Sequence, residues 1–249
     1  MHVEIRYYIR PGVIEVEQVH TSMLGNHAGR AKRGSPTVEE VKKCNQKRVA
    51  KKLRRLIDAN FEPGDIYLTL TYKSAIKRTL KEAKKDLNKF MRAVKYRYNK
   101  RGEVFKWIKT TGIRKRGAAH HHVIMNNIDN FNYIKELAKI WPFGKIDIEA
   151  LYEEGRYEQL AEYFVKHKQE NEDETGESQK DEKAYSCSRN LKKPRVKRVI
   201  ISEKVIARAP KVPSGYRLEM NEEIDTGISK VTGYMYRYFR LIRKERKKE

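Results

Sequence analysis

Lys115-Arg116-Gly117-Ala118-Ala119-His120-His121-His122-Val123-Ile124-Met125-Asn126 carries three consecutive histidines from a basic, glycine-containing approach into an apolar run. It reads as a strand that presents imidazoles. Successive strand side chains alternate faces, so His120 and His122 point one way and His121 the other, together with Val123 and Met125. Neutral imidazole is the commonest side-chain metal ligand, and two of them on one face of a rigid strand are oriented to share an ion. A strand edge that is merely rich in histidine is the plainer alternative.

Working outward, Val104-Phe105-Lys106-Trp107-Ile108-Lys109-Thr110 reads as the preceding strand. A turn from Gly112 to Gly117 joins the two as an antiparallel hairpin, which makes the histidine strand an inner one. Upstream, Asp65-Ile66-Tyr67-Leu68-Thr69-Leu70-Thr71-Tyr72 alternates cleanly. Leu68 and Leu70 then face covering helices, and Tyr67, Thr69 and Thr71 face an open sheet surface. Helical spacing of Leu80, Ala83, Leu87, Phe90, Met91 and Val94 predicts a helix over residues 75 to about 99. A helix from about Asp129 to Trp141 and a strand at Lys145-Ile146-Asp147-Ile148-Glu149 follow the histidines. Strand, helix, strand, strand, helix, strand is the ferredoxin-like order. The expected fold class is therefore α+β: a ferredoxin-like or RRM-like antiparallel sheet (βαββαβ core) with helices on one face, plus N-terminal and C-terminal extensions.

Residues 1–34 read as an extension made of a small strand pair and a glycine-rich loop. Thr37 and Glu40 form a capping-box pattern that opens a helix. Its apolar stripe is backed by a basic face in which Arg48, Lys52 and Arg55 stand out. A solvated face is an equal reading of that charge. In the helix Arg156 to His167, Tyr163, Lys166 and His167 share one face at spacings of three and four. Residues 170–183 are acidic and polar and read as a solvated loop. The domain expected to carry function spans 35–195, and 196–249 is a basic extension with further strands. For Gly233 to Arg240 strand and helix are nearly equally defensible.

The 249 residues include 56 Lys and Arg against 33 Asp and Glu, a formal net charge of +23. Solubility does not require so much, and a polyanionic partner is the natural inference. At 39% hydrophobic residues most of the chain is expected to fold. No run of ~18 apolar residues is present, and Met1-His2-Val3-Glu4-Ile5-Arg6-Tyr7-Tyr8 lacks a signal-peptide core. A cytoplasmic location with no membrane partner is expected. Cys44 and Cys187 make neither a disulfide framework nor a CxxC, so a metal must be held by histidine and oxygen.

Three segments occur in order: Tyr67-Leu68-Thr69-Leu70-Thr71-Tyr72, Gly117-Ala118-Ala119-His120-His121-His122 and Tyr163-Phe164-Val165-Lys166. Together they resemble the three motifs of rolling-circle replication initiators of the HUH endonuclease superfamily, closest to the phage and plasmid type. Ser188-Arg189-Asn190-Leu191-Lys192-Lys193-Pro194 is also similar to a segment of such proteins, and the resemblance covers roughly residues 45–195. It implies metal-dependent, sequence-specific nicking and rejoining of single-stranded DNA at a replication origin through a 5′-phosphotyrosyl intermediate. His120 and His122 would hold Mg²⁺ or Mn²⁺, and Tyr163 would be the single nucleophile. A phenol's reference pKa of ~10 calls for activation by the metal, Lys166 or His167.

Arg48, Lys52, Arg55, Lys115, Arg116, Arg189, Lys192 and Lys193 are the cations expected to meet DNA. The implied partners are single-stranded or supercoiled origin DNA and, in a bacterial host, a helicase and a polymerase, because no P-loop GxxxxGK[ST] is present.

The chain departs from the family pattern at three points. His121 replaces the usual apolar centre, which admits a register with His121 as ligand, although Val123 and Met125 would then leave the core. Lys109-Thr110-Thr111 stands where a carboxylate often supplies a third ligand, leaving Asp147 or Glu149 as substitutes. His167 stands where two-tyrosine relatives carry a second Tyr; it, Glu162 or Glu170 would assist the closing step. Tyr157 is the weaker candidate nucleophile. Two other readings use the same residues: a non-catalytic nucleic-acid binder on an RRM-like sheet, and a transposase or relaxase of the superfamily.

Overall fold

The computed structural model of the chain describes residues 1–21, 36–113, 118–152, 157–175, 183–219 and 224–244, with side chains in the fourth helix as far as His167. Lys115, Arg116 and Gly117, the loop at 22–35, the Glu170 side chain and residues 176–182 of the expected acidic loop lie outside the described residues. In chain order the elements are β1 (His2–Arg10), β2 (Val13–His20), α1 (Val38–Asp58), β3 (Ile66–Thr71), α2 (Leu80–Lys100), β4 (Trp107–Ile113), β5 (Ala119–Met125), α3 (Tyr133–Ala138), β6 (Ile146–Ala150), α4 (Glu158–Thr175), β7 (Ser186–Cys187), β8 (Arg195–Ile201), α5 (Glu203–Ile206), β9 (Tyr216–Leu218), β10 (Asp225–Ile228) and β11 (Met235–Arg243). They form two units, Gln46–Lys192 and Met1–Asn45 with Lys193–Glu249.

In the unit Gln46–Lys192 the antiparallel sheet runs β6-β3-β5-β4-β7, so the histidine strand lies between β3 and β4 as its position in the hairpin predicts. Ile66, Leu68, Leu70, Val123 and Met125 pack on one face against Leu87, Phe90, Met91, Val94 and Tyr98 of α2 and Leu137 of α3. The other face, expected to be open, is covered as well. Ala50, Leu53 and Ile57 of α1 and Ala161, Phe164 and Val165 of α4 cluster there with Ile108 and Ile124.

Local chemistry sets several boundaries that periodicity misplaces. α2 starts at Leu80, not near 75, because Thr79 and Glu82 close a capping box: the Glu82 N–H donates to Thr79 Oγ1 at 3.3 Å and the Thr79 N–H to Glu82 Oε2 at 2.9 Å. The capping box expected at Thr37 and Glu40 is present. α3 is shorter than expected, opened by Asn132, whose Oδ1 accepts from the Lys135 N–H. β4 is shifted to Trp107–Ile113, so Gly112 lies inside the strand, opposite His120. Residues 169–175, read from composition as loop, continue helix α4. No described helix is long and apolar enough to cross a membrane.

The second unit joins both ends of the chain. Its sheet runs β10-β11-β2-β1-β8 with β9 on β11, so strands of the two extensions alternate in one antiparallel sheet. Met235–Arg243 is strand, as one of the two readings held. Ile14, Val16, Phe239 and Leu241 form its apolar cluster. Beside them the Arg237 guanidinium is 3% exposed and donates to Gln18 Oε1 at 2.8 Å, Ile206 O at 3.1 Å, Val205 O at 3.0 Å and Arg208 O. These bonds satisfy the carbonyls at the end of α5, which lacks the length to satisfy them itself. Arg237→Met should lower unfolding free energy by about 2–4 kcal/mol, since buried carbonyls lose their donors. Thermal or urea unfolding of the full chain checks this.

Candidate metal centre

Strand alternation divides the three histidines of β5 between two environments. His121 faces α2 and α3. Thr111 Oγ1 lies 2.9 Å from its Nδ1, Tyr72 Oη 3.1 Å from its Nε2, and the Trp141 ring meets it edge-on. Burial, with His120 and Lys109 adding, pushes the imidazole down to about 3, so it stays neutral. Tyr72 also donates to Asp86 Oδ2 at 3.4 Å, and Asp86 pairs with Arg78 at 2.8 Å. His121 is thus a hydrogen-bonded packing residue, and the register in which it would be the ligand is not adopted.

His120 and His122 face the opposite way, toward α4. There His167 joins them: one ring nitrogen from each of the three lies within 4.8 Å of the others, and all three residues are buried. The His122 and His167 rings stack at 5.0 Å, and His120 stands edge-on to both, at 5.1 and 4.7 Å. The set can hold one metal ion. His167 therefore takes the third position for which Asp147 or Glu149 was expected. Asp147 shares that sheet face but pairs with Lys145 at 2.5 Å, and the cluster of described residues contains no carboxylate.

Two neighbours shape the cluster. A Cβ on Gly112 would lie 2.7 Å from His120 Cε1 and 2.7 Å from His167 Nδ1, so only glycine lets α4 bring its histidine down onto β4 and β5. Tyr67 Oη lies 2.7 Å and Thr69 Oγ1 3.1 Å from His122 Nδ1. Ligation through Nε2 puts the ring proton on Nδ1, where these oxygens accept it and fix the ring's orientation. Burial pushes the Tyr67 phenol up, keeping it neutral in that role. Alternation had placed Tyr67 and Thr69 on this face; their pairing with His122 follows from the register Thr69↔His122.

Tyr163 lies at the cluster's edge. It is 40% exposed, and its ring centre is 4.8 Å from that of His122 and 4.4 Å from that of His167. Lys166 is exposed on the same helix, whereas Tyr157 is buried in the apolar cluster. Among the expected DNA contacts Arg48, Lys52, Arg189, Lys192 and Lys193 are exposed. Arg55 is buried, and so is not a surface cation. Ser188 and Asn190 are structural: Ser188 Oγ accepts from the Trp107 N–H at 3.1 Å, and Asn190 Nδ2 donates to Phe105 O at 3.1 Å.

Two substitutions probe the centre in titrations with Co²⁺ or Mn²⁺. Gly112→Ala should weaken binding by about tenfold or more, because the added methyl displaces His120 and His167. Tyr67→Phe should weaken it by roughly tenfold, with Thr69 keeping part of the orientation.

A family model described as a replication-associated protein of the ORF2 type matches residues 65–168, less than half of the chain. The matched segment contains β3, β4, β5 and the part of α4 that bears Tyr163 and His167. Neither the curated proteins nor the solved structures include a match.

Proposed function

We propose that this chain initiates rolling-circle replication by nicking and rejoining single-stranded DNA, with Tyr163 as nucleophile beside a metal held by His120, His122 and His167. The observation that carries this reading is the Tyr163 ring seated against two of the three clustered imidazoles, within a segment matched by a replication-associated family. When bound, the ion supplies positive charge to the nonbridging phosphate oxygens as the transition state forms. Of the two ions expected, the all-nitrogen donor set suits Mn²⁺ better than Mg²⁺, which prefers oxygen.

Tyr163, having lost its phenolic proton, attacks phosphorus in line. The Oη–P bond forms as the P–O3′ bond breaks, and the leaving 3′ oxygen takes up a proton. The DNA is left with a 5′-phosphotyrosyl link and a free 3′-hydroxyl that primes synthesis. The phosphodiester energy is retained in the link, so the reverse attack rejoins the strand without a nucleoside triphosphate. Lys166, one turn along the exposed side of α4, neutralises the phosphate. His167, first read as assisting proton transfer, is better used as the third ligand. Arg48, Lys52, Arg189, Lys192 and Lys193 meet the DNA backbone, and a host helicase separates the strands.

Single-stranded DNA tiled across the replicon that encodes the chain, incubated with Mn²⁺ or EDTA and run on a denaturing gel, tests this. A covalent adduct should form only with metal and vanish in Tyr163→Phe. It should also vanish in His120→Ala, His122→Ala and His167→Ala, whereas His121→Ala should mainly lower stability. An adduct that survives Tyr163→Phe, or forms in EDTA, would overturn the assignment.

A further inference from the structure

The outer face of α2 carries a row of cations that no acid neutralises. Lys81, Lys85, Lys89, Arg92 and Lys95 are exposed, and none forms an ion pair among the described residues. Both acids of the helix are engaged elsewhere: Glu82 closes the capping box and Asp86 is paired with Arg78. The steps 81–85, 85–89, 89–92 and 92–95 are each three or four residues, so every cation stands beside another of like sign, an arrangement that destabilises an isolated helix. The helix cannot turn this face inward, because Ala83, Leu87, Phe90, Met91, Val94 and Tyr98 hold the opposite one against the core. At 1.5 Å per residue the row is about 21 Å long.

α2 packs on the sheet face that carries Leu68, Val123 and His121, whereas His120 and His122 emerge from the other face. A strand held at the metal centre is separated from α2 by the sheet itself. The row therefore needs a second stretch of polyanion. Surfaces for single strands interleave cations with stacking aromatics. Here one exposed aromatic, Tyr96, stands near the end of the row. A straight line of point charges suits the regular phosphates of a duplex.

We propose that the outer face of α2 binds the backbone of duplex DNA, away from the metal centre and without base readout. The row would attract any polyanion; that the polyanion is DNA rests on the nicking reading. Bound there, duplex flanking the nick site would be held while the single strand is processed on the far side of the sheet.

The test is fluorescence anisotropy of a labelled mixed-sequence duplex against the full chain over a range of salt. The variant Lys85→Gln, Lys89→Gln, Arg92→Gln keeps good helix formers and removes three charges. It should lose about tenfold or more in duplex affinity, and its log–log salt slope should shrink by about 2 to 3. The control Lys197→Gln, Arg198→Gln, Lys204→Gln removes equal charge from exposed positions of the other unit and should change affinity by much less. Equal losses in both variants would mean diffuse attraction by the net charge and overturn the proposal, as would no loss in the first. An equal loss on single-stranded DNA of the same sequence would overturn the duplex assignment. Failure of the unsubstituted chain to form a covalent adduct would count against the nicking reading alone, since duplex binding is read without it.

Discussion

The close approach of α4 to the sheet at Gly112 is the constraint on which the centre depends. An imidazole is too polar to be buried without partners, and three sit together between a helix and an inner strand. Any side chain at position 112 would keep α4 away, separating His167 from the strand pair. Phe164, one turn back from His167, packs with Ile108 and Ile124 in the apolar cluster that holds the helix at that distance. Packing and site chemistry are thus set by the same few contacts.

Alternation lets one strand serve both purposes. His121, Val123 and Met125 belong to the side packed by α2 and α3, and the hydroxyls of Thr111 and Tyr72 make the histidine acceptable there. His120 and His122 belong to the other side, where Tyr67 and Thr69 orient His122. A slip of one residue would exchange these environments and expose Val123 and Met125, so the hydrophobic core fixes which histidines face α4. The Tyr72–His121 contact also ties β5 to the end of β3 from the face opposite the ligand pair.

The unit made from the chain ends follows a different logic. Its apolar cluster is small, and a buried guanidinium supplies order by bonding carbonyls of Val205, Ile206 and Arg208 together with Gln18. β1 pairs with β8 and β2 with β11, strands from opposite ends of the sequence. Such pairings leave no local signature, and for that reason the two ends read as separate extensions. Arg237 likewise looks like one more basic residue until the carbonyls it meets are known.

From its own residues the sequence determined the α+β class, the strand order around the histidines, the faces of His120, His121 and His122, and the shared helix face of Tyr163 and His167. All of these follow from periods of two and of three to four residues, which are local properties of the backbone. Tertiary structure alone decided that α4 lies on the histidine face, that His167 and no carboxylate completes the cluster, that Gly112 is a point of contact within a strand, and that Arg55 is buried. Each depends on the distance between elements remote in the chain, and periodicity gives a side chain's direction without saying what it will meet.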